Sequence, residues 1–168
     1  MGNQQPGLEL DQKLPFQEKA WRVERFGWGV LTLIALLALL GLFGTGPLSS
    51  AVAGSDDEGL LVDYERFIRH TGEVSLEIEV APQHLTGGQV ELWVSTDYID
   101  GFLIESVSPQ PDEVRAEGDR QVYVFLAESP DAPASVTFSL RADRIGRYSG
   151  EAGIVDGPTV SFTQLSYP

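Results

Sequence analysis

The chain has 168 residues, which is enough for one domain of ordinary size and one further segment. It contains no cysteine, so disulfide bonds and thiolate metal sites are excluded. Its 25 acidic and 11 basic residues give a net charge of −14, and such an acidic surface argues against binding of nucleic acid or anionic lipid.

An uncharged, leucine-rich run extends from Phe26 to Ser55. If Phe26–Thr45 is helical, it spans about 30 Å, which is the thickness of a bilayer's hydrocarbon layer. The run therefore predicts one transmembrane helix at residues 26–45. Residues 1–25 are predicted to form a cytoplasmic tail that ends in a short amphipathic helix. We expect aromatic and basic side chains to anchor this region at the membrane surface: Trp21, Arg22, Arg25, Phe26 and Trp28.

Basic residues flank the apolar run closely on one side only. Lys19, Arg22 and Arg25 precede it, whereas the next basic residue after it is Arg66. The positive-inside rule therefore places the N-terminus in the cytoplasm and the C-terminal part outside, in a single-pass protein of the cytoplasmic membrane. The segment Ala51–Ala53 has the A-x-A pattern of a signal-peptidase site, so cleavage after Ala53 stays open as an alternative to a retained anchor.

The C-terminal part of the chain has the pattern of a β protein. Residues 46–59 are small or acidic and indicate a linker, with Asp56, Asp57 and Glu58 as a solvated spacer. From residue 60 on, apolar and polar residues alternate between turn signals, which predicts an antiparallel β-sandwich of immunoglobulin-like type over residues 60–168. The clearest strands have their apolar faces at Val74, Leu76, Ile78 and Val80; Val90, Leu92 and Val94; Val122, Val124 and Leu126; Val136, Phe138 and Leu140; and Val160 and Phe162. Weaker strand candidates are Leu60–Ile68, Phe102–Val107 and Tyr148–Ile154.

Three segments together carry a resemblance to a group of proteins. They are the basic and aromatic lead-in Trp21–Trp28, the helix end Gly41–Ser49, and the segment Val62–Phe67 after an acidic spacer. In this arrangement the chain resembles small bacterial single-pass membrane proteins of unassigned function with an extracytoplasmic β-sandwich. The resemblance implies a location in the bacterial envelope and carries no activity or site residues across.

The sequence contains no catalytic, cofactor-binding or metal-binding motif with the spacing that such chemistry needs. His70 and His84 match no zinc pattern, and we expect both in exposed loops. The segment Asp97–Gly101 begins like a calcium loop, but Ile99 stands where an oxygen ligand is needed, so an Asp-Gly hairpin turn is predicted instead. The aromatic residues of this loop, Tyr98 and Phe102, are predicted to offer a contact surface.

Small residues recur along the predicted transmembrane helix. Thr32, Ala35, Ala38 and Gly41 follow one another at intervals of three residues. Small side chains allow the backbone of a second helix to approach closely, so this stripe is a candidate surface for helix packing in the membrane.

These features predict a protein that acts without catalysis and without a cofactor. We expect a membrane-anchored, extracytoplasmic binding or accessory subunit that contacts the bilayer through one helix. Its expected partner is another integral membrane protein and not a nucleic acid. The alternative is an envelope hydrolase, or a domain that binds a ligand or carbohydrate, with a site built from loops.

Overall fold

The computed structural model describes residues 14–39, 49–127 and 129–168, with side chains from residue 21 onward in the first range. The chain divides into two compact units, residues 1–37 and 38–168. A helix makes up the described part of the first unit, and all described strands belong to the second.

Helix α1 runs without interruption from Leu14 to Leu39. Pro15 is its second residue, where a missing amide hydrogen costs little because the first amides of a helix have no partner within it. The predicted amphipathic and apolar helices are therefore a single element as far as Leu39. Residues 1–13 of the predicted tail and residues 40–45 of the predicted span lie outside the described residues.

The length and hydropathy of the described helices can be compared with those that a membrane span requires. Within the described part of the chain, no helix combines the length and the apolar character that crossing a membrane requires.

The second unit is a sandwich of eleven strands within the described residues. A one-turn helix, α2 (Thr96–Ile99), lies between the fifth and sixth strands, and a 3₁₀ turn, Pro82–His84, follows the fourth. The strands are β1 (Ser50–Ser55), β2 (Leu60–Glu65), β3 (Phe67–Arg69), β4 (Glu73–Val80), β5 (Gln89–Ser95), β6 (Phe102–Ser108), β7 (Glu113–Glu117), β8 (Arg120–Leu126), β9 (Ala134–Ala142), β10 (Gly146–Ile154) and β11 (Thr159–Tyr167).

The strands form two sheets that enclose the core. The first sheet has the order β1-β2-β4-β9-β6, and the second has the order β3-β11-β10-β5-β8-β7. The pairs within both sheets are antiparallel, except that β3 runs parallel to β11. The prediction of a β-sandwich is therefore confirmed, with one parallel pair that the alternation of residues did not reveal.

Strand β4 shows why the sequence forms this sandwich. Val74, Leu76, Ile78 and Val80 are at most 2% exposed, while the residues between them face solvent. Burying one such side chain stabilises the fold by about 1.5–3 kcal/mol. The apolar alternation thus fixes both the strand and the face that it buries, because a shift of one residue would place glutamates in the core.

The predicted linker is wrong from residue 50 onward, because this stretch forms β1 and pairs with β2. Its inward positions are occupied by Ala51, which is buried, and Ala53, which is half-buried, and alanines give too weak a hydropathy signal to predict a strand. The acidic spacer is the exposed β1–β2 turn, where the amides of Glu58 and Gly59 donate hydrogen bonds to the carbonyl of Ser55 over 3.2 and 3.1 Å. The sandwich therefore begins ten residues earlier than predicted, at Ser50 and not at residue 60.

The weaker strand candidates are all present, although Leu60–Ile68 is divided at Arg66 into β2 and β3. The face predicted for β8 is wrong: Tyr123 and Phe125 face the core, whereas Val122 and Val124 lie on the opposite face with Leu126, which is 58% exposed. The physical reason is that both faces of β8 are covered, so its apolar residues do not alternate with polar ones.

Candidate functional site

The predicted membrane-surface anchors lie together on α1. The guanidinium of Arg25 is 4.1 Å from the ring centroid of Trp21, one helical turn earlier, which is a cation–π contact. Phe26 and Trp28 are 75% and 65% exposed, and Arg22 is exposed. This part of α1 therefore presents large aromatic rings and basic groups side by side, as helices do at a membrane–water boundary.

The predicted stripe of small residues is partly described. Thr32, Ala35 and Ala38 are exposed on α1, one turn apart, and Gly41 lies outside the described residues. Large apolar neighbours of the stripe are also exposed, with Leu36 at 52% and Leu39 at 80%. The described part of α1 therefore leaves a continuous apolar surface exposed.

The contact surface predicted from Tyr98 and Phe102 is wrong, because these side chains are only 1% and 8% exposed. The predicted hairpin turn at this point is the one-turn helix α2, which directs Tyr98 into the core. The Tyr98 ring passes beneath Gly150 of β10, where an added Cβ would lie 2.7 Å from ring atom Cδ2. Glycine at position 150 is therefore required for this insertion.

The hydroxyl of Tyr98 is also the first donor in a buried series of two hydrogen bonds. Its hydroxyl donates to Oε1 of Gln164 over 2.6 Å, and Nε2 of Gln164 donates to the backbone carbonyl of Glu65 over 2.8 Å. Burial, and to a smaller extent Tyr148, raises the pKa of the Tyr98 hydroxyl well above its usual value. The hydroxyl therefore stays protonated and serves as a structural donor, not as an acid–base group.

The two histidines are far apart. His70 precedes β4 and His84 follows it, so the eight residues of an extended strand separate them. Nε2 of His84 lies 2.8 Å from the backbone carbonyl of Glu58. Among the described residues, no group of three or more His, Asp or Glu side chains is arranged to hold a metal ion.

A second apolar cluster lies on the outer face of the second sheet, and it explains the pattern of β8. Trp93 of β5 is 8% exposed, beside Val122 at 0% and Val124 at 7%, although all three point away from the core. The Arg120 guanidinium lies 5.3 Å from the Trp93 ring centroid. On the other side, a Cβ on Gly153 would approach the Trp93 ring to 2.8 Å, so the backbone of β10 packs directly against the indole.

Arg115 on β7 stands beside this cluster and joins three glutamates. Its guanidinium contacts the carboxylate of Glu91, donates from Nε to Glu117 over 2.8 Å, and lies 3.9 Å from Glu113. The hydrogen bond from Arg115 lowers the pKa of the Glu117 carboxyl, so this glutamate stays ionised. The alternation Glu113, Arg115, Glu117 was a local signal of the network in the sequence, but the contact with Glu91 comes from β5 and could not be read from it.

Two cavities of the sandwich are open grooves beside loops. One of about 410 Å³ is lined by His84, Glu91 and Asp156, among others, and another of about 440 Å³ lies beside the β8–β9 loop. In the first groove, the carboxylate of Glu91 already forms an ion pair with Arg115. A small polar ligand could enter this groove, but Glu91 would not be free to bind it.

No protein-family model matches this chain, and no curated protein sequence matches it either. Among solved structures, the chain is similar to a cohesin module from a family 33 glycoside hydrolase of Clostridium perfringens ATCC13124. The two sequences are 10% identical, the similarity covers 68% of this chain and 96% of the module, and the TM-score is 0.45.

Proposed function

We propose that this protein is a membrane-anchored binding or accessory subunit whose sandwich lies outside the cytoplasmic membrane. In this proposal residues 26–45 cross the bilayer, and the partner is a larger integral membrane protein. The observation that carries the proposal is the uncovered apolar surface of α1, where Leu31, Leu33, Leu36 and Leu39 are 52–80% exposed. Lipid and a neighbouring helix are the surroundings that would cover such a surface.

The charge distribution around this segment supports the orientation. Lys19, Arg22 and Arg25 precede it and favour a cytoplasmic N-terminus, because basic residues close to a span are retained on the cytoplasmic side. The uncharged run of residues 26–55 continues the apolar character of α1 into the segment that the structure leaves undescribed. The resemblance to bacterial single-pass proteins agrees with this arrangement.

The pairing of β1 supports retention of the anchor. Cleavage after Ala53 would remove residues 50–53, which are four of the six residues of β1. Ala51, Val52 and Ala53 pair with Tyr64, Asp63 and Val62 of β2. A cleaved chain would therefore begin inside a paired strand, whereas signal-peptidase sites lie in accessible, extended segments.

We further propose that the sandwich is of the immunoglobulin-like type. The support comes from Tyr148 at the start of β10, where the chain has crossed from the first sheet to the second. Its hydroxyl donates to the carbonyl of Arg144 over 2.7 Å and accepts from the amide of Arg144 over 2.9 Å. A tyrosine bound to the backbone a few residues upstream is the tyrosine corner of such sandwiches.

The alternative, an envelope hydrolase or a ligand- or carbohydrate-binding domain, would use the groove at His84 and Asp156. Isothermal titration calorimetry with soluble glycans distinguishes this alternative from the proposal. A glycan that binds the parent and loses affinity in His84→Ala would favour a loop-built site over an accessory role.

The accessory role is tested on the small-residue stripe of the helix. We expect the triple substitution Ala35→Leu, Ala38→Leu and Gly41→Leu to abolish co-purification of a membrane partner, because bulky side chains would hold the two helices apart. The measurement is affinity purification in mild detergent, with identification of the proteins that co-elute.

The control is the triple substitution Leu36→Ile, Leu37→Ile and Leu40→Ile, which changes the same helix but leaves the stripe intact. It should retain the partner. The accessory role is contradicted if the stripe variant keeps every co-eluting protein, or if the parent chain has none.

A further inference from the structure

The arginines of the sandwich differ in their partners. Three of the seven form ion pairs with glutamates. The remaining four are exposed and have no carboxylate within 4.0 Å in residues 49–127 and 129–168. The sandwich has three times as many acidic as basic residues, yet within the described part of the chain these four exposed cations lack an ion pair. These four are Arg66, Arg69, Arg144 and Arg147.

Three of these arginines lie at one end of the sandwich, around the outer face of β10, β11 and β3. The guanidinium of the fourth, Arg144, lies 5.1 Å from the ring centroid of Tyr148. Arg147 of β10 is opposite Leu165 of β11, and Leu165 is opposite Phe67 of β3. Arg69 lies two residues further along β3, opposite Tyr167. Arg66 immediately precedes Phe67, the first residue of β3. At this corner of the sheet, basic side chains are therefore interspersed with apolar ones.

Apolar side chains between these arginines are exposed as well. Leu165 is 46% exposed and Ile145 of the β9–β10 loop is 55% exposed. A groove of about 530 Å³ lies here, and Arg69, Ile145 and the turn after β3 line it. We call this surface the basic patch, and its residues are Arg66, Phe67, Arg69, Ile145, Arg147 and Leu165.

The basic patch lies where the chain enters the sandwich. The carbonyl of Ser49 accepts a hydrogen bond from the Arg66 amide over 2.6 Å, and the Ser49 hydroxyl donates to the Phe67 carbonyl over 3.2 Å. We call this the proximal end. Only residues 46–48 separate Ser49 from Thr45, the last residue of the proposed anchor, and four chain steps reach at most about 14 Å. The patch would therefore lie close to the membrane surface.

Acidic residues lie at both ends of the sandwich. The loops at the opposite, distal end contain Asp56–Glu58, Asp112, Asp131 and Asp156, and no lysine or arginine. At the proximal end, Asp97, Asp100 and Asp119 lie around α2 and the β7–β8 turn, while Asp143 shares its loop with Arg144. Burial, followed by repulsion from Asp63, raises the pKa of Glu65 next to the patch.

We propose that the basic patch is a docking surface for anionic lipid headgroups, which holds the proximal end of the sandwich against the membrane; this rests on the proposed anchor. Basic residues are attracted to anionic headgroups within about 10 Å, and the exposed side chains of Leu165 and Ile145 would enter the interfacial layer. The distal loops contain no lysine or arginine and so offer no comparable surface. The net charge of the chain, which argues against binding of anionic lipid, does not show that these arginines lie together at one corner.

The experiment uses the full chain in lipid nanodiscs and exploits the absence of cysteine. A fluorophore is attached to Thr71→Cys at the proximal end or, as a control, to Ala132→Cys at the distal end. Quenching by spin-labelled headgroups is measured in phosphatidylcholine discs with and without phosphatidylglycerol. We expect the label at position 71 to be quenched strongly only in anionic discs, and the label at position 132 in neither.

Two double substitutions with the same change in charge test the patch itself. Each arginine near an anionic surface strengthens binding about fivefold, so Arg69→Gln with Arg147→Gln should weaken docking roughly 30-fold. Arg115→Gln with Arg120→Gln, which change arginines of β7 and β8 outside the patch, should leave the quenching unchanged. Equal quenching in neutral and anionic discs, or equal loss in both double variants, would overturn the proposal.

Other outcomes separate this proposal from the proposed anchor. An anchored chain whose label at position 71 stays unquenched refutes lipid docking and leaves an acidic protein surface as the occupant. If alkaline carbonate releases the chain from vesicles, the anchor is refuted instead. In that case co-sedimentation of the unanchored chain with anionic vesicles, with and without the Arg69 and Arg147 substitutions, still decides whether the patch binds lipid.

Discussion

Ile78→Asp is expected to unfold the sandwich. Ile78 is fully buried at the centre of the first sheet, where it pairs with Val62 of β2 and Val136 of β9. An aspartate there would be an unpaired charge in the core, which costs more than about 4 kcal/mol in the free energy of unfolding. Far-UV circular dichroism and urea unfolding of the variant measure this loss.

The neighbouring residue provides the control. Glu79 lies next to Ile78 on β4 but faces solvent, so Glu79→Ala should change the free energy of unfolding by no more than about 0.5 kcal/mol. If the two substitutions cost the same, the assignment of faces in β4 would be incorrect.

Tyr98→Ala is expected to be the next most damaging substitution. Removing this buried ring leaves a cavity among Phe102, Phe162 and Gly150 and should cost about 3–5 kcal/mol. Tyr98→Phe keeps the ring and removes only the hydrogen bond to Gln164, so it should cost about 1–3 kcal/mol. Urea unfolding of both variants tests the insertion of α2, and a cost below 1 kcal/mol for Tyr98→Ala would contradict it.

The parts of the fold that the sequence predicts well are those where one face of a strand is buried. In β4 and β9, apolar residues alternate with polar ones, and the buried positions, such as Leu76 and Phe138, follow directly from that alternation. Local hydropathy is sufficient there because the outer face of the first sheet is exposed to water.

The sequence fails where burial depends on a distant segment. The outward-facing Val122 is buried because Trp93 from β5 lies beside it on the outer face of the second sheet, and local alternation cannot reveal that cover. Tyr98 reads as a loop aromatic, yet it is buried because Gly150, more than fifty residues later, leaves room for its ring. In both cases the missing information is a tertiary contact.

The distribution of charge over the surface was also not predictable from the sequence. The composition gives a net charge of −14, from which the affinity of the surface for anionic lipid was predicted to be low. The arginines without ion pairs nevertheless gather beside Ser49, because β3, β10 and β11 bring Arg69 and Arg147 to one corner. The net charge does not show where the charged residues lie, because their positions depend on the order of the strands in the sheet.

We propose that a retained helix holds the sandwich outside the cytoplasmic membrane, and protease digestion of intact spheroplasts tests this topology. Both ends of the chain are followed with epitope tags in a bacterial host. We expect the sandwich to be digested, while an N-terminal fragment that contains α1 stays protected and resists alkaline carbonate extraction. A mature chain that begins at Gly54, or a sandwich that is protected until the spheroplasts are lysed, would refute the proposed topology.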